Sequence, residues 1–216
     1  MTSATIDINC DMGESFGIYT LGMDAEVIRH ISSANIACGF HAGDPQVMRK
    51  TVRLALEHGV ALGAHPAFPD LAGFGRRRME CSLEDIQDYI TYQVGALQAF
   101  CRAEGGRLHH VKPHGALYNQ AAADPVLIRV IARAIHAIDP ELLLVILAGP
   151  NAAALTEAAA DEGVQVVLEA FPDRAYERNG ALRARSFEGA VIHDAALAAE
   201  RALHMVEHGM ITAHDG

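Results

Sequence analysis

Short apolar segments alternate with longer stretches of helical periodicity along almost the whole chain. Several of the short segments are apolar at every position, which is typical of parallel strands covered on both faces. The pattern predicts strands at residues 6–9, 35–38, 60–64, 110–112, 142–147, 164–168 and 191–193. Because helical stretches separate most of these strands, we expect a parallel sheet in an α/β fold.

The helical stretches have recognisable first and last residues. Asp44 and Asp124 each precede a proline, an arrangement that caps a helix and places proline in its first turn. Ser82 is the cap of another helix, with Asp85 in its first turn. The predicted helices begin at residues 44, 82, 124, 150 and 193 and end at residues 59, 105, 139, 163 and 209.

Polar residues follow nearly every predicted strand directly. The first strand leads into Asn9, Asp11 and Glu14, and the next two lead into His41 and His65. In a (β/α) barrel the functional groups gather at the C-terminal ends of many strands, whereas a doubly wound open sheet concentrates them at one switch point. This distribution favours a barrel.

The composition narrows the class of protein further. Half of the 216 residues are hydrophobic, so we expect a folded chain, here one barrel domain over residues 1–216. The net charge of −10 argues against nucleic acid as a partner. No apolar stretch reaches the length of about 20 residues that a membrane span needs. The start of the chain does not resemble a secretory signal, and the four cysteines form no CxxC pair, so we expect a cytoplasmic protein.

Asn9, Asp11 and Glu14 are candidates for catalysis, because two carboxylates and an amide at a strand end suit metal binding, substrate binding or general-base chemistry. Ordinary turn chemistry explains them equally well. On the next glycine-flanked loop, His41 is a functional candidate, whereas a capping role is sufficient to explain Asp44.

Two further loops add histidines and a lysine. Asp11, His41 and His65, from three successive strands, would form a divalent-metal triad in a barrel. Lys112 ends a strand and precedes proline, so its ammonium would lie in the barrel mouth and need an anion or a carboxylate partner. His114 follows two residues later.

Arginines after the third strand offer a second cationic group. Residues 73–78 read Gly-Phe-Gly-Arg-Arg-Arg, and Arg76 could close over a phosphate or a carboxylate, unless the segment is only a solvated basic loop. Histidines near helix C-termini are interpreted as structural: His58, His136, His204 and His208. The chain contains no GxxxxGK[ST], GxSxG or GxGxxG motif, so nicotinamide chemistry is not expected.

Several of these segments together resemble the LamB/YcsF family, which is also known as the A subunit of 5-oxoprolinase. The resemblance rests on DINCDMGE (7–14), SANIACGFHAGD (33–44), GAHP (63–66), PDL (69–71), GFGRR (73–77), VKPHGALY (111–118) and DRAY (173–176). It runs from the first strand to the last residue.

The resemblance implies a distorted (β/α) barrel of the glycoside hydrolase/deacetylase type. It also implies that the fold continues into a further strand and a final helix, so we expect the chain to be C-terminally truncated. The implied activity is the ATP-dependent opening of the lactam of 5-oxoproline to give L-glutamate, with ATP and its Mg²⁺ as co-substrate and with two partner subunits, B and C.

The site residues follow from the same resemblance. The expected catalytic residues are Asp11, Glu14, His41, Lys112 and His114. The expected substrate- or phosphate-binding residues are Asn9, Asn35, Asp44, His65, Arg76, Asp173, Arg174 and Tyr176. Two alternatives stay open: a metal-dependent amide or sugar deacetylase that needs no ATP, and a substrate-binding subunit without catalysis of its own.

Overall fold

The computed structural model describes residues 5–215, and within them it contains six β-strands and seven α-helices. The strands are β1 (Asn9–Met12), β2 (Ser33–Ala37), β3 (Ala61–His65), β4 (Leu108–Val111), β5 (Leu143–Leu147) and β6 (Val166–Glu169). The helices are α1 (Asp24–Val27), α2 (Pro45–Glu57), α3 (Leu83–Ala103), α4 (Gly115–Ala121), α5 (Pro125–Ile138), α6 (Ala152–Ala160) and α7 (Ala195–His208).

The strands follow one another in a single sheet in the same order as in the sequence, from β1 to β6. Strand pairing is parallel from β1 through β5. A sheet that always grows in one direction is the strand progression of a (β/α) barrel, because a doubly wound sheet reverses its order at a switch point. The expected fold class, an α/β fold of the distorted (β/α)-barrel type, is confirmed.

The described chain divides into two compact units. The first contains the described residues through Ile146 together with Ala154–Val167. The second contains Leu147–Ala153 and the described residues from Leu168 onward. In the second unit, helix α7 and two isolated bridges, Arg174–Val191 and Tyr176–Leu182, organise the chain after β6.

The core of the first unit is built from helix faces with helical spacing. Helix α3 packs against α5. Both helices place aliphatic side chains every three or four residues on the face that becomes completely buried: Ile90, Val94 and Leu97 on α3, and Ile128, Ile131 and Ile135 on α5. Burial of such a side chain contributes about 1.5–3 kcal/mol. Among the described residues, no helix has the length and apolarity of a membrane span.

The predicted helix caps are confirmed. The Asp44 carboxylate accepts hydrogen bonds from the backbone amides of Gln46 and Val47, and Ser82 forms a capping box with Asp85. Helix α7 ends at Gly209, whose φ of 63° lies in the left-handed region that favours glycine. The short helix α4 was not predicted, because its seven residues carry no cap side chain.

Two strand predictions were wrong in part. The strand expected at residues 191–193 is only a bridge between Val191 and Arg174, because Asp194 already caps the next helix and leaves no room for a ladder. The first strand begins at Asn9 and not at Ile6, which is exposed. Consequently Asp11 lies inside β1 and not beyond it.

Candidate functional site

Neighbouring residues on four strands form one row across the sheet. Asp11 on β1 is in register with Asn35 on β2, Asn35 with Gly63 on β3, and Gly63 with His110 on β4. In-register residues of neighbouring strands point to the same side of a sheet. Strands far apart in sequence therefore bring their polar residues to one place, as the barrel interpretation requires.

Lys112 is buried beside this row. Its Nζ lies 3.1 Å from Oδ1 of Asn9 and 3.3 Å from Oδ1 of Asp11. The Asn35 amide donates to the same two oxygens, at 2.7 and 3.0 Å. The predicted carboxylate partner of Lys112 is thus Asp11. Partial desolvation of the carboxylate opposes ionisation of Asp11, but the positive charges of His65 and Lys112 outweigh it and hold the pKa of Asp11 well below its usual range.

Three imidazole rings stand together next to Asp11. The rings of His41 and His114 stack in parallel with their centroids 3.8 Å apart. His65 stands perpendicular to both. Nε2 of His65 lies 3.3 Å from Oδ1 of Asp11 and 2.9 Å from Nδ1 of His114. All three rings are almost completely buried.

Backbone carbonyl groups orient two of these rings. Nδ1 of His65 lies 2.6 Å from the carbonyl oxygen of Lys112, and Nε2 of His114 lies 2.9 Å from that of Phe74. Because a carbonyl oxygen only accepts, these two nitrogens carry the ring hydrogens. Phe74 has the left-handed φ of 55°, which is uncommon outside glycine.

Gly75 makes room for the stacked rings. A Cβ atom at this position would lie 2.8 Å from both His41 and His114, closer than carbon atoms approach. Its φ of 65° also favours glycine. The glycine-rich loop after β3 therefore closes tightly over the imidazoles, and the sequence motif that contains Arg76 has a packing reason for its glycines.

Glu14 completes the group on the β1 side. Its Oε1 lies 3.2 Å from Nε2 of His41 and 3.9 Å from Nδ1 of His114. Burial raises the pKa of Glu14 to about 7. Burial also lowers the pKa of His41 to about 3 and that of His114 to about 2, with a further contribution from the charge of His65. Both of these imidazoles are therefore neutral near neutral pH.

Glu14, His41, His65 and His114 form a group that could hold a metal ion. Each offers one ligand atom, and these atoms lie within 4.8 Å of one another. Two members of the metal triad expected from the sequence, His41 and His65, belong to this group. The third, Asp11, contacts His65 but lies outside the group.

Arg76 lies on the loop over the imidazoles. Its guanidinium lies 5.0 Å from the ring centroid of Phe74, and the residue is exposed. Asp70 braces the same loop: its carboxylate accepts from the amides of Gly73 and Arg77 and from the Arg77 guanidinium. The arginine motif thus contributes one residue near the cluster, Arg76, and one to loop structure, Arg77.

Four residues with an expected binding role have well-defined structural contacts or lie at the surface. Asp44 caps α2 and also accepts from the Gly17 amide. In the second unit, the guanidinium of Arg174 donates to the carbonyl oxygens of Ala190 and Arg183. The hydroxyl of Tyr176 accepts from the amide of Phe171, and Asp173 is exposed.

The sequence interpretation missed His110. Its Nε2 lies 2.8 Å from Oδ1 of Asn35, so the ring holds the amide that contacts Asp11. Burial lowers the pKa of His110 to about 3. The sequence did contain one indication of this role: His110 lies two residues before Lys112, and residues at this spacing point to the same side of a strand.

Known proteins are similar to this chain over nearly its whole length. Residues 6–216 match the model of the LamB/YcsF family. A protein from Brevibacillus brevis, named as the A subunit of 5-oxoprolinase, is 54% identical over 212 residues, which cover 98% of this chain and 82% of the relative. One from Heliobacterium modesticaldum with the same name is 56% identical over 211 residues, covering 98% and 82%.

A solved structure shares the fold. The crystal structure of a lactam utilization protein from Thermus thermophilus is 52% identical and superposes with a TM-score of 0.92. The match covers 99% of this chain and 85% of the other.

Proposed function

The chain belongs to the LamB/YcsF family, and from that premise we propose that it is the A subunit of a 5-oxoprolinase, a hydrolase that opens the lactam ring of 5-oxoproline to give L-glutamate. One observation carries the proposal: Asp11, Lys112 and the neutral imidazoles converge in a chain that is similar over nearly its full length to proteins of that name. The similar Thermus protein is described as a lactam utilization protein, which supports the same substrate class.

The chemistry explains why ATP would be needed. A five-membered lactam is a poor electrophile, so transfer of the γ-phosphoryl group of ATP to the amide oxygen would activate its carbon and release ADP. Water then adds to that carbon, and the C–N bond breaks with its electron pair and a proton passing to nitrogen. A second water hydrolyses the resulting acyl phosphate to glutamate and phosphate.

Lys112 is the better of two candidates for stabilising the oxyanion. The alternative, His114, donates its only ring hydrogen to the carbonyl oxygen of Phe74 while it is neutral. The Lys112 ammonium is buried, carries three hydrogens and uses Asn9 and Asp11 as acceptors. A buried cation that faces a developing negative charge accelerates acyl transfer strongly, because little water screens it.

Arg76 would bind the carboxylate of 5-oxoproline. It is exposed at the loop over the site and its guanidinium can bind a carboxylate through two parallel hydrogen bonds. Lys112, the other candidate, is already engaged by Asp11. Assigning the two cations to different ends of the substrate would place its ring between them.

Asp11 would accept the proton from the attacking water. Of the three candidates, His41 is completely buried and its ring stacks on that of His114, so it is not accessible to an attacking water. Glu14 faces His41 inside the cluster, whereas 39% of the Asp11 side chain is exposed and its carboxylate is ionised. Asn9 and Asn35 would keep that carboxylate in place.

The phosphoryl transfer would involve partner subunits. The chain has no recognised nucleotide-binding loop, and its relatives are named as one subunit of an enzyme. We therefore assign ATP, with Mg²⁺, to a complex with subunits B and C, in the cytoplasm. The lactam-opening steps are assigned to this chain.

The direct test is turnover of 5-oxoproline in the presence of ATP and Mg²⁺ by the chain alone and by the chain with subunits B and C. We expect glutamate, ADP and phosphate only from the complete set. Glutamate formation without ATP would favour the metal-dependent amide hydrolase instead. A complete set that leaves 5-oxoproline unchanged would contradict the proposal.

A further inference from the structure

One nitrogen of the buried His65 ring and one nitrogen of the buried His114 ring face each other at close range. The hydrogens of His65 and His114 are on Nδ1 and Nε2, where they bind the carbonyl oxygens of Lys112 and Phe74. The opposite nitrogens, Nε2 of His65 and Nδ1 of His114, lie 2.9 Å apart, and without a metal ion the proton that gives His65 its positive charge lies between them. Two lone pairs at this distance repel each other unless a cation lies between them.

The neighbouring carboxylate indicates what kind of cation. Oε1 of Glu14 lies 3.9 Å from Nδ1 of His114, on the same side as the lone pairs. A single shared proton would engage the two nitrogens but not this carboxylate, whose other contact is with Nε2 of His41. A metal ion engages all three groups, because lone pairs of imidazole and carboxylate are what it binds.

We propose that Nε2 of His65, Nδ1 of His114 and Oε1 of Glu14 bind one divalent transition-metal ion of the zinc class. Four tetrahedral ligands ~2.0 Å from zinc are roughly 3.3 Å apart, and the separations of 2.9 and 3.9 Å bracket that value. Two histidines and one glutamate leave a fourth position open, as in catalytic zinc sites. Imidazole ligands favour zinc, cobalt or nickel over magnesium, which prefers oxygen.

His41 orients the glutamate in this site and is not a ligand. Nδ1 of His41 has no hydrogen-bond partner among the described residues, whereas Nε2 lies 3.2 Å from Oε1 of Glu14. The single hydrogen of the neutral ring is therefore placed on Nε2, where it binds the carboxylate. Carbonyl groups do the same for His65 and His114, so every proposed ligand has an orienting partner of the kind that metal sites require.

The open position would hold the water that attacks the lactam, and Asp11 stands beside it, 3.3 Å from His65. This use of the ion rests on the proposed function. Its binding does not, because binding can be measured without substrate or partner subunits. The two proposals can therefore fail separately.

The test is titration of the metal-free chain with Co²⁺, followed by visible absorption and by metal analysis. Helix α7 carries His204 and His208 one turn apart with ring centroids 4.6 Å from each other, a pair that can chelate metal adventitiously. The titration is therefore done in the His204→Ala/His208→Ala background. We expect one Co²⁺ per chain, with the intense absorption of four-coordinate cobalt and displacement by Zn²⁺.

Single substitutions in that background separate ligands from orienting residues. His65→Ala, His114→Ala and Glu14→Gln are expected to abolish the absorption. His41→Ala is expected to retain it with affinity about 10–100-fold weaker, as for loss of an orienting partner. His58→Ala is the matched control, because His58 lies at the C-terminal end of α2 and contacts the carbonyl oxygen of Leu54 in its own helix, and we expect no change. Circular dichroism establishes that each variant is folded.

Two outcomes would overturn the inference. If the folded chain binds no Co²⁺ saturably, the facing nitrogens share a proton. If His41→Ala abolishes binding as completely as His65→Ala, or if the His65→Ala chain binds as the parent does, the assignment of the ligands is wrong.

Discussion

The imidazole of His110 occupies the space that a side chain on Gly63 would need. The two residues are in register on neighbouring strands, and a Cβ atom on Gly63 would overlap the His110 ring. The absence of a side chain at position 63 lets the ring pass over β3 to reach Asn35, 2.8 Å away. The glycine at position 63 therefore leaves the space through which a side chain of β4 contacts a side chain of β2; we call this the spacer role of Gly63.

Gly63→Ala is expected to destabilise the protein by about 1–3 kcal/mol, because overpacking forces the buried His110 ring away from Asn35. The measurement is the free energy of unfolding in urea. Gly95→Ala on α3 is the matched control, since a Cβ there meets no atom within 4 Å. It should stabilise the protein by about 0.5–1 kcal/mol through helix propensity. Equal effects of both substitutions would contradict the spacer role.

Lys112→Met is expected to lower kcat of the reconstituted enzyme by about 10²–10³, the usual cost of losing one oxyanion donor. The KM for 5-oxoproline should change much less, because the interaction strengthens as charge develops. Lys50, the only other lysine of the chain, is exposed on α2. Lys50→Met should leave both constants unchanged. A folded Lys112→Met variant with full kcat would remove Lys112 from the mechanism.

Arg76→Ala is expected to raise the KM for 5-oxoproline about tenfold or more with little change in kcat, because hydrogen bonds to a charged group are worth about 1.5–3 kcal/mol. The neighbouring Arg78 pairs with exposed Glu80 and serves as the control. Steady-state kinetics with saturating ATP separates the two constants. An Arg78→Ala variant with the same rise in KM would show that loop charge, and not Arg76 itself, attracts the substrate.

Asp70→Asn is expected to destabilise the loop that carries Arg76, by about 1–3 kcal/mol near neutral pH, since several donors lose a charged acceptor. The hydrogen bond from Arg77 lowers the pKa of Asp70 in the folded state. A lowered folded-state pKa means that the stabilisation is complete above the unfolded value of about 3.9 and is lost as the pH falls through the folded value.

The difference in unfolding free energy between the parent and Asp70→Asn should therefore shrink on acidification below about pH 4. Unfolding in urea at several pH values measures it. Glu80→Gln, which removes half of an exposed ion pair, should change stability by less than about 1 kcal/mol at any pH. A difference for Asp70→Asn that is constant with pH would mean that its charge contributes nothing.

The parts of the fold that depend on local signals could be predicted from the sequence. Asp44 and Ser82 cap their helices because a cap needs only the side chain and the next three amides. The convergence of Asp11, His65 and Lys112 was also predictable, since it follows from parallel strands whose C-terminal ends share one edge.

The parts that depend on register and on hydrogen-bond partners could not be predicted. His110 matters because Gly63 happens to be its neighbour across the sheet, a pairing that periodicity does not encode. Arg174 and Tyr176 follow a strand as site residues do, but their polar groups contact backbone atoms of their own unit. The strand expected at residues 191–193 did not form because Asp194, the next residue, already caps a helix and leaves no room for a ladder.

The two carbonyl groups that orient His65 and His114 have a consequence for how this site can change. Side-chain acceptors can be deleted by one codon change, but a peptide oxygen belongs to every residue, so no substitution at Lys112 or Phe74 removes it. The orientation of both rings therefore depends on the path of the backbone and not on the side chains at these two positions. Substitutions of residues around the site can therefore change its charge and its fit to the substrate while the two imidazole rings keep their orientation.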